Sequence, residues 1–180
     1  MYRYIYLLII ILTITGCSEG DIIDVSINFD GELQNCSNDI DNTFVFYKVD
    51  ADNKRTLSLS FTSTTYDSTP DSISTDNEPT VITLDETDNI LIYREFETAI
   101  NGSTYFCASV PPSMNEISEE YTSTDGTAEI SLEVFNDDDP NNIVYQRTIT
   151  LKNITFIGDD IEIRREELLL GSDTQVVIPQ

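Results

Sequence analysis

The sequence has no histidine and no tryptophan, only 9 basic residues against 33 acidic ones, and three cysteines in 180 residues. Each shortage removes a class of function. Without histidine there is no Ser-His-Asp or Cys-His nucleophile system, no imidazole acid–base catalysis and no histidine metal site. Without tryptophan the commonest sugar-stacking platform is missing. A formal net charge of −24 repels both nucleic acid and anionic membrane surfaces, so nucleic acid is not an expected partner. Glycine-rich loops of P-loop or Rossmann spacing do not occur. Carboxylates are abundant, and two of them at the right separation make a glycosidase, yet no pair stands out. The expectation is a protein without enzymatic activity.

Long hydrophobic runs are also missing. The apolar run from Ile5 to Leu12 falls well short of the roughly 20 residues that a membrane-spanning helix needs. One basic residue, Arg3, precedes it and Thr13, Thr15 and Gly16 follow, which is the layout of a signal-peptide h-region. Cys17 then stands where cleavage would fall. The run Ile14-Thr15-Gly16-Cys17 resembles the bacterial lipobox. That resemblance implies diacylation of the Cys17 thiol, cleavage just before it and acylation of the new amine. Two or three acyl chains give stable anchoring, since each buried methylene contributes about 0.8 kcal/mol and one chain alone is marginal. Ser18, rather than an aspartate that would favour inner-membrane retention, follows the cysteine, so the resemblance implies the outer membrane. Glu19, Gly20, Asp21 and Asp24 resemble the acidic export tags of surface-exposed Bacteroidota lipoproteins. The expected location is therefore the outer membrane, lipid-anchored, facing the periplasm or the cell surface.

This divides the chain into a signal peptide (1–16), a lipidated N-terminus with a short linker (17–24) and one domain (25–180). Removing residues 1–16 takes away a single charged side chain, Arg3. The acidic residues that remain are scattered between apolar stretches, the pattern of a solvated folded surface and not of a disordered acidic tail. With Cys17 assigned to lipid, Cys36 and Cys107 are left as a pair in an oxidising compartment. A bridge between them would close a loop of roughly 70 residues, which the chain-entropy model values at about 4 kcal/mol. Two separate buried thiols or a metal site are the competing readings, and two cysteines without histidine make a weak zinc site.

Period-two alternation dominates the domain. Val25, Ile27 and Phe29 alternate with polar partners. "TFVFYKVDADNKRTLSLSFTS" reads as two strands joined at Ala51 to Lys54, and "TVITLDETDNILIYREFET" as another pair around Glu86 to Asn89. "STYFCASV" and "TAEISLEVFN" follow as strands, then a long strand from Asn142, a Gly158-Asp159-Asp160 turn and two more strands split by Gly171-Ser172. Residues 114–121 and 162–169 are the only places where a turn or two of helix fits. Residues 64–80 and 111–124, rich in Ser, Thr, Pro and acid, read as long surface loops and as the natural recognition positions. About eight to ten short strands point to an all-β fold, a single antiparallel β-sandwich of immunoglobulin-like architecture. Tyr105, two residues before Cys107, resembles the tyrosine corner of that family, although no tryptophan is present to pack on the bridge. The order "CSEGDIIDVSINFD", "FVFYKV" and "ITLKNITF" resembles small flavobacterial-type envelope lipoproteins, a likeness that brings no catalytic residues with it.

Three further candidates involve modification or ligands. Asp137, Asp138 and Asp139 in "NDDDPNN" offer hard oxygen ligands to calcium, as do Asp50 and Asp52, where Lys54 occupies a position that needs an oxygen. Polar turns stabilised by Asx hydrogen bonds account for the same residues. Asp71-Ser72-Ile73 resembles the O-glycosylation acceptor of Bacteroidota exported proteins, which makes Ser72 a candidate acceptor. No cofactor is expected beyond calcium. The leading expectation is an envelope binding or accessory module with a protein or glycan partner; the alternative is a calcium-dependent adhesion or carbohydrate-binding module.

Overall fold

The structure is a computed structural model that describes residues 29–38, 43–62, 78–108, 110, 112, 115–136, 143–158 and 161–177. The expected signal peptide and linker, Cys17, Ser72 and Asp137 to Asp139 lie outside the described residues. Nine strands and one short helix make up the rest: β1 (Gln34–Asn38), β2 (Thr43–Val49), β3 (Arg55–Thr62), β4 (Thr80–Thr83), β5 (Ile90–Phe96), α1 (Gly102–Cys107), β6 (Ile117–Ser123), β7 (Thr127–Asn136), β8 (Ile143–Ile157) and β9 (Glu162–Val177). The all-β, antiparallel expectation holds.

The turns form where side chains can take over backbone donors. Between β2 and β3, Asp50 Oδ1 accepts from the backbone N–H of Lys54 at 2.9 Å and of Arg55 at 3.1 Å. Asn53 supplies the left-handed position at φ 56°, which asparagine tolerates better than most residues. Between β4 and β5, Asp85 Oδ1 accepts from the N–H groups of Thr87 and Asp88, each at 2.6 Å. Gly126, at φ +101° and packed against the Lys152 carbonyl, turns β6 into β7.

Hydrogen bonding runs in the order β1-β2-β3-β5-β6-β8-β7-β4, with β9 on the other edge of β8. The path folds into two layers, β1-β2-β3-β5-β6 and β4-β7-β8-β9. Among the described residues they are continuous only at one corner, where β6 and β8 pair through Thr122 with Ile157 and Ser123 with Phe156. From that corner β8 crosses to β2, where the Arg147 guanidinium sits 4.3 Å from the centre of the Phe46 ring. It therefore runs across the strands of the first layer, as in orthogonal sheet packing. Inward-facing residues of both layers, among them Phe46, Leu57, Leu59, Phe61, Leu91, Ile149, Leu151, Ile154 and Phe156, form one contiguous core.

Three local expectations are corrected. "STYFC" is helical, not a strand, even though its β-branched and aromatic residues favour the extended state. Asn101 caps the helix, accepting from Thr104 N at 2.9 Å, and Gly102 lets it approach β2 so closely that a Cβ would lie 2.7 Å from Val49 Cγ2. Residues 117–123 form strand β6 and not a loop, because pairing with β5 buries Tyr121 and pairing with β8 buries Ser123. Gly171 and Ser172 do not divide two strands: β9 runs through them, and a register shift opposite Ile149 and Thr150 absorbs the irregularity.

Candidate functional site

One side of the sandwich is open where β1, the edge of the first layer, faces β9, the edge of the second. A groove of about 580 Å³ lies there, between residues 31–35, Lys48 and residues 169–174. Local sequence explains its shape. Gly31 lies against the Val49 carbonyl, where a Cβ would be only 2.2 Å from the oxygen. Leu33 packs over Gly171 and closes the core beneath the groove.

The floor is charged. Arg147 on β8 is fully buried and pairs through Nε and Nη2 with the Asp173 carboxylate, the Nε contact being 2.8 Å. Asp173 Oδ2 also accepts from Asn35 Nδ2 at 2.8 Å, so one carboxylate ties β8, β9 and β1 together. The same guanidinium lies over Phe46 and, at 5.8 Å, Phe44, an arrangement in which ring faces help a desolvated cation. Above this floor Lys48 is half-buried. Burial pushes its pKa down, with Asp30 pulling it back up. Glu32, Asn35, Ser172 and Thr174 complete a rim with both charge signs, hydroxyls and an amide. Such a surface holds a polar ligand by hydrogen bonds and charge.

A second constellation covers the outer face of the first layer. Phe106 of α1 stacks on Tyr47 at 4.5 Å, and Tyr105 meets Phe96 edge-on at 5.1 Å. Cys107 at the end of α1 is bonded to Cys36 in β1, with Cα atoms 5.7 Å apart. The Tyr47 hydroxyl lies 3.8 Å from Cys107 Sγ, and burial raises the Tyr47 pKa against an opposing hydrogen bond with Ser103.

The disulfide pairing expected of Cys36 and Cys107 is thus present. Asp50 is occupied as a turn residue: both its oxygens accept, Oδ2 from Arg55 Nε at 2.8 Å. Among the described residues no three His, Cys, Asp or Glu side chains gather as a metal site. Of the two expected recognition loops, only residues 78–80 of the first are described, and the second includes strand β6. Sequence reasoning missed the groove. Its signal was a broken alternation: Lys48 follows Phe44 and Phe46 on the inward face of β2, and Arg147 precedes Ile149 and Leu151 on that of β8. Compared with known proteins, the chain matches no family model, no curated protein and no solved structure.

Proposed function

We propose that the chain is an exported, lipid-anchored envelope protein that acts without catalysis, as a binding or accessory module for an envelope protein or glycan. The observation that carries this reading is the Cys36–Cys107 bond, because structural disulfides persist in oxidising compartments and are rare in the cytosol. It adds to the h-region and Cys17 in pointing outside the cell's reducing interior. Lipid on Cys17 supplies the membrane contact, with the outer membrane as the destination. The polar groove between β1 and β9 is the recognition surface this reading favours, since it combines an ammonium, carboxylates and hydroxyls.

Replacing Cys17 by Ser tests the anchor. The variant is expected to leave the membrane fraction or to accumulate as an uncleaved precursor; a variant still cleaved and membrane-bound overturns the reading. Reversing Glu32 and Lys48 together, Glu32→Lys with Lys48→Glu, tests the groove in pull-downs from detergent extracts. The expected result is loss of co-purifying partner with an unchanged circular dichroism spectrum.

A further inference from the structure

The disulfide joins the two elements of the first layer that bury least. α1 has no buried residue. Among the described residues β1 pairs with β2 alone, and its Gln34 and Asn35 are exposed while Cys36 is half-buried. Among the described side chains, neither contributes one to the contiguous core.

Beside Tyr47 and Phe96, which meet the rings of α1, the outer face of the first layer carries polar groups where a core would be apolar. Thr56 and Ser58 point outward from β3, opposite to Leu57 and Leu59, and are nevertheless 0% and 4% exposed. Ser58 Oγ reaches the Ile92 carbonyl only at 3.4 Å, and Thr56 Oγ1 has no hydrogen-bond partner among the described residues. Covering the unsatisfied Thr56 hydroxyl is unfavourable, so this polar part of the floor does little to hold the helix down. Its attachments include Ile100, buried at the entry and bonded through its N–H to the Asn53 carbonyl at 2.7 Å, the Tyr47–Phe106 and Phe96–Tyr105 ring contacts, the Arg94–Tyr105 hydroxyl contact at 3.5 Å, and the bond at Cys107. Cys107 is exposed, so a reductant can reach it.

We propose that the Cys36–Cys107 bond is a redox latch whose reduction by a dithiol releases α1 from β1 and uncovers the Tyr47–Thr56–Ser58 face while the sandwich stays folded. The chemistry balances as thiol–disulfide exchange. A thiolate of the dithiol attacks Cys107 Sγ and expels the Cys36 thiolate, which takes up a proton. The second thiol then resolves the mixed disulfide, leaving two cysteine thiols on the protein and an intramolecular disulfide on the reductant.

Hydrogen exchange on the full-length protein, oxidised or fully reduced with dithiothreitol, tests this. In the reduced protein the amides of residues 97–107 are expected to exchange at least about tenfold faster, while β3 and β8 remain protected, the signature of a local opening and not a global one. The double variant Cys36→Ala with Cys107→Ala is expected to reproduce the fast exchange without reductant and to ignore added dithiothreitol. Unchanged protection of 97–107 after complete reduction overturns the proposal. So does loss of that protection only together with β3 and β8, which would make the bond a support of the whole sandwich.

Discussion

Along β3, Leu57, Leu59 and Phe61 face the second layer, whereas Thr56 and Ser58 face α1, and all five side chains are buried. The two faces of one strand thus lie under equally dry but differently built covers. On the inner face, alternating apolar residues from both layers interlock, and the hydrophobic effect drives burial at roughly 25 cal/mol per Å² of apolar surface. On the outer face a six-residue helix lies over hydroxyls, held by two aromatic contacts, a buried isoleucine and a disulfide. Burial alone therefore does not say where stability resides. The inner face owes its order to packing, and the outer face to covalent and aromatic fastening.

The largest effect should come from the buried ion pair, where the inner face departs from apolar packing. Arg147 is 0% exposed and its partner Asp173 13%, so Arg147→Ala leaves a largely buried carboxylate without its charge partner and, among the described residues, with only the Asn35 hydrogen bond. A loss of about 3 to 5 kcal/mol is expected in urea unfolding. Replacing the pair jointly, Arg147→Met with Asp173→Leu, should be far milder; equal losses would show that the ion pair itself, and not the stranded charge, supports the core.

The contrast between the faces is sharpened by two truncations of neighbouring packing. Leu59→Ala is expected to remove about 2 to 5 kcal/mol by opening a cavity. Phe106→Ala should lose about 1 kcal/mol, the scale of an aromatic pair, and that loss should appear in exchange of residues 97–107 before it appears in the global midpoint. Equal effects of the two would erase the distinction.

A pH-dependent prediction concerns the β2–β3 turn. Burial would raise the Asp50 pKa, but hydrogen bonds from Arg55 and Lys54 and the Arg55 charge outweigh it and hold the carboxyl below its ordinary 3.8. A depressed folded-state pKa contributes stability that is fully present above the unfolded value and disappears as pH falls through the folded one. Asp50→Asn should therefore melt lower than the parent at pH 7, and the gap should start to narrow as the pH falls below 3.8 and close once it has passed the lower folded-state value. A gap that persisted in acid would assign the effect to turn geometry instead of charge.

The smallest expected change is Gly102→Ala. Its Cβ would press on Val49 Cγ2 at 2.7 Å and Tyr47 Cε2 at 2.9 Å, while alanine favours the helix by about 1 kcal/mol. The two tendencies nearly cancel in global stability. The displaced helix should nevertheless show faster exchange at Tyr105, whose N–H bonds the Asn101 carbonyl at 2.9 Å.

Much of the strand layout was legible. "TFVFYKV" and "RTLSLSF" alternate cleanly because one face is buried, and the hairpin between them is marked by Asp50 and Asn53, residues that stabilise turns through their own side chains. The helix was not legible. Its residues prefer the strand, and its cap at Asn101 acts only because Gly102 fits against Tyr47 and Val49, neighbours supplied by a strand some fifty residues earlier. β6 was hidden for a related reason: "ISEEYTS" has only one strongly apolar inward position, Tyr121, and becomes a strand through pairing with β5. The groove was hidden because Lys48 and Arg147 look like ordinary surface charges until the pairing register turns both inward.

By itself the sequence determined the all-β class, the place of the principal turns and the exclusion of histidine chemistry. All three follow from residue type or from spacing along the chain, since strand alternation and Asx turns are local. Only the tertiary structure decided that the layers meet at a single β6–β8 corner, that Arg147 is buried against Phe46 and Asp173, and that a helix roofs the hydroxyls of Thr56 and Ser58. Each of these depends on groups far apart in sequence. Their energies come from desolvation and close contact, which exist only once the second layer has crossed the first.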